Sequence, residues 1–208
     1  MVGMSSSEAV KIKHSVEDLH NKEAYFNLPN SLTLSRIFLI PVFVYLFSTP
    51  TDERALAAAF VFAIAALTDL LDGYVARRRG QITNLGKLLD PVADKLLVAA
   101  GLVLLVQFQR VGVWLVIAII AREIIVTGAR AVAAREGVII AADSLGKIKV
   151  VTQILGIIAL ILEDVIHLPL VSLHELGTWL LWAALFFAVV SGTKYIVEVL
   201  RKVGPQYL

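Results

Sequence analysis

Apolar side chains dominate six stretches of the chain, roughly residues 31–48, 55–76, 88–108, 112–134, 148–168 and 176–200, with polar residues gathered in the short intervals between them. Each stretch approaches the ~20 mostly apolar residues that a helix needs to cross a bilayer core. The pattern predicts an all-α fold, a polytopic membrane bundle of six transmembrane helices. The second and third stretches contain aspartates, and the fourth contains Arg122, Glu123 and Arg130. The spacing leaves no room for a second, soluble domain. The predicted division is an N-terminal segment over residues 1–26 and a six-helix transmembrane domain over residues 27–208.

Composition strengthens this reading. Of the 208 residues, 58% are apolar, against about 45–50% in ordinary soluble domains, and the mean hydropathy is +0.81. The net charge of +2 says little, but its placement says more. Arg77, Arg78, Arg79 and Lys87 lie between the second and third stretches, Arg135, Lys147 and Lys149 between or beside the fourth and fifth, and Arg201 and Lys202 after the sixth. The opposite connections hold Arg54, Arg110 and, in the third, no Lys or Arg. By the positive-inside rule, both termini and the charged loops face the cytoplasm. There is no cysteine, which excludes disulfides and thiolate metal sites. Residues 1–25 are mixed and polar without a signal-peptide core. Val10, Ile12, Val16 and Leu19 alternate there with Lys11, Lys13, Glu17 and Asp18, as expected of a cytoplasmic tail or interfacial segment.

The candidate chemistry lies in residues 69–95. Asp69 and Asp72 are three apart near the end of the second helix, and Asp90 and Asp94 four apart at the start of the third, so each pair shares a helix face. A connection of about a dozen residues brings the faces together as antiparallel neighbours. Four carboxylates would then line one small cavity. Such a cluster is costly beside a bilayer unless something positive fills it. With no histidine or cysteine nearby, hard oxygen ligands point to Mg²⁺ or Mn²⁺, or Ca²⁺, and four carboxylates balance two such ions. Gly73, Ala76 and Gly86 allow close approach of a ligand or backbone, and Arg77 offers a bidentate fork to phosphate. Taken singly, these residues have blander readings: an interfacial or capping aspartate, or an arginine run that only sets topology. Their joint spacing favours chemistry.

Asp69-x-x-Asp72-Gly73-x-x-Ala76-Arg77, eight residues, then Gly86-x-x-x-Asp90-x-x-x-Asp94 resembles the full signature of the CDP-alcohol phosphatidyltransferase family. "NLPNSLTLSRIFLIP", "AREIIVTGAR" and "LGKIKV" are similar to its phosphatidylglycerophosphate synthase branch, so the likeness covers nearly everything after Asn27. The resemblance implies a six-helix fold, a homodimer and an active site open to the cytoplasmic leaflet of a bacterial cytoplasmic (inner) membrane. It implies Asp69, Asp72, Asp90 and Asp94 as ligands of two Mg²⁺ or Mn²⁺ ions, with Asp94 also the catalytic base. Gly73, Ala76, Arg77 and Gly86 would shape the pocket for the CDP moiety of the donor. That donor would be CDP-diacylglycerol, with its acyl chains left in membrane lipid and no nucleic-acid partner.

The motif does not choose the acceptor alcohol. Arg122 and Arg130, eight apart on the fourth helix, can face one side; Lys147 and Lys149 open the fifth, and Arg36 sits in the first. Cations at this depth suggest an anionic acceptor, and glycerol 3-phosphate fits. Another phosphorylated acceptor, such as inositol phosphate, stays open, as does a divalent-cation transporter built on the same acids. Each cation also has a structural alternative. Arg122 can pair with Glu123 or an aspartate, Lys147 and Lys149 can meet lipid headgroups, and Arg36 can snorkel to the interface. Glu163 and Asp164 are expected only to end the fifth helix, His167 and His174 to be interfacial, and Trp114, Trp179 and Trp182 to be interface anchors.

Overall fold

The computed structural model describes residues 28–79, 84–138, 144–167, 169 and 171–203, of which residues 28–34, 69–79, 84–91, 94 and 203 are described by backbone alone. The expected N-terminal tail over residues 1–26 lies outside the described residues. Six helices follow in order: α1 Leu28–Phe47, α2 Asp52–Arg79, α3 Asn84–Gln107, α4 Val113–Arg135, α5 Ser144–Ile161 and α6 Leu173–Val203. Among the described residues there is no strand. The six stretches predicted from apolar pattern therefore correspond one to one with helices.

Several boundaries differ for identifiable reasons. α2 begins at Asp52 and Glu53, acids that suit a helix N-terminus, and it runs through Arg77, Arg78 and Arg79, because arginine is a good helix former. Only residues 80–83 separate it from α3, where a loop of about a dozen was expected, and Gly86 falls in the first turn of α3 instead of in that loop. α5 ends at Ile161, well before residue 168. Arg110 donates from Nη1 to the carbonyls of Leu160 and Ile161 at 2.8 and 2.9 Å, satisfying acceptors that the end of a helix leaves bare. Glu163 and Asp164, expected merely to end the helix, pair with that arginine, while His174 meets Glu163 at 2.8 Å. α4 closes with Gly137 at φ +68°, Val138 N–H on the Ala133 carbonyl at 2.9 Å and Gly137 N–H on the Ala134 carbonyl at 3.2 Å. This is the Schellman arrangement, and glycine suits its left-handed residue.

α5 and α6 are the two helices that are long and apolar enough, over their described residues, to cross a membrane by composition. The apolar portions of α1 and α3 are shorter, Ser35–Phe47 and Lys95–Gln107 over the described residues. Large apolar side chains also cover the outside of the bundle. Trp114, Trp179 and Trp182 are 80%, 73% and 52% exposed and all lie in the first three turns of α4 or α6. An exterior this apolar suits lipid better than water.

The interior is built from two contact systems. Phe43 of α1 packs on Phe62 of α2 at 5.3 Å between ring centroids, and Phe47 on Phe108 at 5.3 Å. Gly101 of α3 faces this layer: a Cβ placed on it would lie 3.1 Å from the Phe62 ring and 3.3 Å from Ile157 of α5. The second system is the crossing of α5 and α6. A Cβ on Gly177 would stand 2.6 Å from Leu160 Cγ and 3.0 Å from the Gly156 carbonyl oxygen, so two backbones approach as only small residues permit. Gly177→Ala is therefore expected to cost about 1–3 kcal/mol through overpacking, read as a lowered thermal midpoint of the purified protein in detergent.

Candidate active site

The helix directions place the motif. α2 packs antiparallel to α1 and α3 across short connections. Arg110, just past the end of α3, binds the end of α5, so α3 and α5 run the same way. Phe43, Phe62, Gly101 and Ile157 form one layer. Seven residues along a helix is two turns, about 10 Å, and returns to within about 20° of the same face. Seven residues from this layer, towards the α2–α3 connection, stand Arg36 on α1, Asp69 on α2, Asp94 on α3 and Val150 on α5, beside Lys149. Asp72 and Asp90 come level with each other about one turn further on. Backbone geometry thus brings the two aspartate pairs, eighteen residues apart in sequence even at their nearest members Asp72 and Asp90, to matching heights on packed helices. The side chains of Asp69, Asp72, Gly73, Ala76, Arg77, Gly86, Asp90 and Asp94 lie outside the described residues. Among the described side chains, no three His, Cys, Asp or Glu groups cluster as a metal site would require.

The cations divide into separate groups. Arg36 is fully buried, at 0% exposure, on a helix that packs against α2 and α3, so it belongs to the aspartate helices. Arg122 and Lys149 meet through one acid. Glu123 Oε1 accepts from Arg122 Nη1 at 3.0 Å and from Lys149 Nζ. Lys149 is 7% exposed. Arg122 also reaches α6, donating from Nε to the Ala188 carbonyl at 2.7 Å and from Nη2 to Ser191 Oγ at 2.8 Å. A Cβ at position 192 would lie 3.1 Å from that Nε, so Gly192 leaves room for the guanidinium. Arg130 is exposed and stands over the Tyr195 ring, 5.5 Å from its centroid. Lys147 is exposed at the start of α5. Sequence reasoning named Glu123 as a partner for Arg122 but missed its bond to Lys149, and it did not single out Ser191, Tyr195 or Gln153.

Residues 26–190 match the profile of the CDP-alcohol phosphatidyltransferase family. The chain belongs to that family. Several proteins named CDP-diacylglycerol–glycerol-3-phosphate 3-phosphatidyltransferase are similar to this CDP-alcohol phosphatidyltransferase. The one from Bacillus subtilis is 47% identical over 182 residues, covering 82% of this chain and 93% of its own. Those from Rickettsia bellii and Shigella flexneri are each 36% identical, covering 81% and 82% of this chain respectively and 93% of their own.

The Glu123 junction generates a stability test for this phosphatidyltransferase. Glu123→Gln leaves two largely buried cations without their shared carboxylate and is expected to cost about 2 kcal/mol. In a thermal-unfolding cycle with Lys149→Met, the double variant should lose less than the two single losses combined. Strict additivity would show that the bond contributes nothing.

Proposed function

We propose that the chain transfers the phosphatidyl group of CDP-diacylglycerol to glycerol 3-phosphate, giving phosphatidylglycerophosphate and CMP, as a step in phospholipid biosynthesis. The observation that carries this reading is the 47% identity, over 82% of the chain, to a protein named for that reaction. The match spans both aspartate pairs and the cations of α4 and α5, so donor-binding and acceptor-binding elements are both included.

The six helices are read as six membrane spans, with both termini and the active site on the cytoplasmic side. The distribution of Lys and Arg supports that orientation. The acyl chains of the donor stay in lipid while its nucleotide head enters at the cytoplasmic end of α2 and α3. Gly73, Ala76 and Gly86 give the CDP moiety room, and Arg77 donates to its pyrophosphate. Asp69, Asp72, Asp90 and Asp94 form an all-oxygen donor set at matching heights, which fits hard divalent ions such as Mg²⁺ or Mn²⁺. Two ions bound there would supply charge compensation on the pyrophosphate and the departing CMP. Asp94 accepts the proton of the acceptor hydroxyl as that oxygen attacks the phosphorus bearing diacylglycerol, and the bond to CMP breaks. An aspartate is a weak base at its ordinary pKa near 4, so holding the hydroxyl in line supplies much of the rate. Arg130, Lys147, Lys149, Arg122 and Arg36 provide positive charge for the acceptor phosphate. The family likeness supports a homodimer.

The test is CMP release by purified protein with CDP-diacylglycerol, with and without glycerol 3-phosphate, in Mg²⁺, Mn²⁺ or EDTA. Release requiring both acceptor and metal is expected; release with a different alcohol alone would discard the acceptor. Asp94→Asn should retain donor binding and lose at least about 99% of turnover, the usual scale for removing a general base. Arg130→Ala should raise the KM for glycerol 3-phosphate by about tenfold, in keeping with loss of one charge-assisted contact, and an unchanged KM would remove Arg130 from the acceptor site.

A further inference from the structure

Gln153 lies one turn beyond Lys149 on α5, is 3% exposed, and its Nε2 has no hydrogen-bond partner. Buried amide donors are paired almost without exception, because an unmade bond forfeits the hydration that water would give. An oxygen acceptor is therefore missing beside this side chain.

Its direction follows from its neighbours on α5. Lys149 reaches Glu123 of α4, Gly156 and Leu160 meet α6, and Ile157 meets Gly101 of α3. At about 100° per residue, Gln153 falls between the line that faces α4 and α6 and the line that faces α3. It points into the bundle. In height it stands one turn from the Phe43–Phe62–Gly101–Ile157 layer, level with Ala66 of α2 and Leu97 of α3, both buried. These side chains carry no acceptor. The charged level of Arg36, Asp69, Asp94 and Lys149 begins about 5 Å above. Gln153 is thus a buried polar group about one turn below the backbone level of Asp69 and Asp94, with Lys149 one turn further along the same helix face towards that level.

We infer that Gln153 donates from Nε2 to a phosphate oxygen of the acceptor alcohol and, with Lys149, brackets that phosphate from one face of α5. A cation and a neutral donor one turn apart span about 6 Å, which suits two oxygens of one tetrahedral anion. The inference rests on the reading of the chain as a glycerol 3-phosphate-using transferase and assigns that reaction a positioning and specificity residue. Removing the amide weakens acceptor binding and leaves the donor alone.

The experiment uses full-length protein in mixed micelles, following CMP release while glycerol 3-phosphate is varied, with inorganic phosphate as a competing probe. Gln153→Leu should raise the KM for glycerol 3-phosphate about tenfold, the scale of one hydrogen bond to a charged group, with kcat and the KM for CDP-diacylglycerol little changed. The inhibition constant of inorganic phosphate should rise in the same proportion. Because the leucine removes an orphaned donor, its thermal midpoint should match or exceed that of the wild type. Gln153→Glu, which sets a carboxylate against the phosphate, should lose more than Gln153→Leu. An unchanged KM in Gln153→Leu, or a lowered midpoint with phosphate inhibition intact, would overturn the inference while wild-type activity upholds the transferase reading. Wild-type protein that ignores glycerol 3-phosphate but uses another alcohol would overturn both.

Discussion

One carboxylate, Glu123, makes the principal link between two helices that otherwise hardly meet. α4 packs on α3 and α6, and α5 on α2, α3 and α6, while direct packing of α4 against α5 is slight among the described residues. Glu123 bridges that gap by taking Lys149 of α5 and Arg122 of its own helix onto one oxygen, and Arg122 carries the connection on to Ala188 and Ser191 of α6. In a medium of low dielectric, an acid between two cations stabilises charges that would each be costly alone. The placement of α4 against α5 depends on that arrangement, and so does the position of the Lys149 ammonium.

The aspartate-bearing end of α2 and α3 is held by shape. Phe43, Phe62 and Gly101 interlock α1, α2 and α3, and the small size of residue 101 lets the Phe62 ring and Ile157 approach the α3 backbone together. Since helix rise is fixed, this apolar layer sets the height of every residue two turns away. Arg36, Asp69 and Asp94 are level because Phe43, Phe62 and Gly101 are. The polar end of the bundle thus takes its register from an apolar contact, which shares neither the hydration cost nor the repulsion of the acids.

The number of helices was legible in the sequence because a run of apolar residues needs no partner to be recognised. Boundaries were less so. Charge was read as the end of a helix, yet Arg77, Arg78 and Arg79 continue α2, whereas α5 stops early because Arg110, distant in sequence, captures its last carbonyls. The aspartate spacing was legible because periodicity within a helix is local information. That the two faces meet followed from the short connection, but the register that sets their matching heights did not, since it depends on which residues of α2 and α3 touch. Gln153 escaped notice for the same reason: a glutamine in an apolar helix gains meaning only when its neighbours offer it no acceptor. The shared use of Glu123 needed the relative placement of α4 and α5, which spacing along one helix cannot supply.

The close crossing at Gly156 and Gly177 bears on how the chain assembles. It lies within a helical hairpin whose halves are joined by residues 162–172, and those halves are the two helices most able to enter a bilayer on their own composition. A contact so local in sequence forms with little loss of chain entropy. The hairpin can therefore close as a local unit, without waiting on contacts to the first four helices.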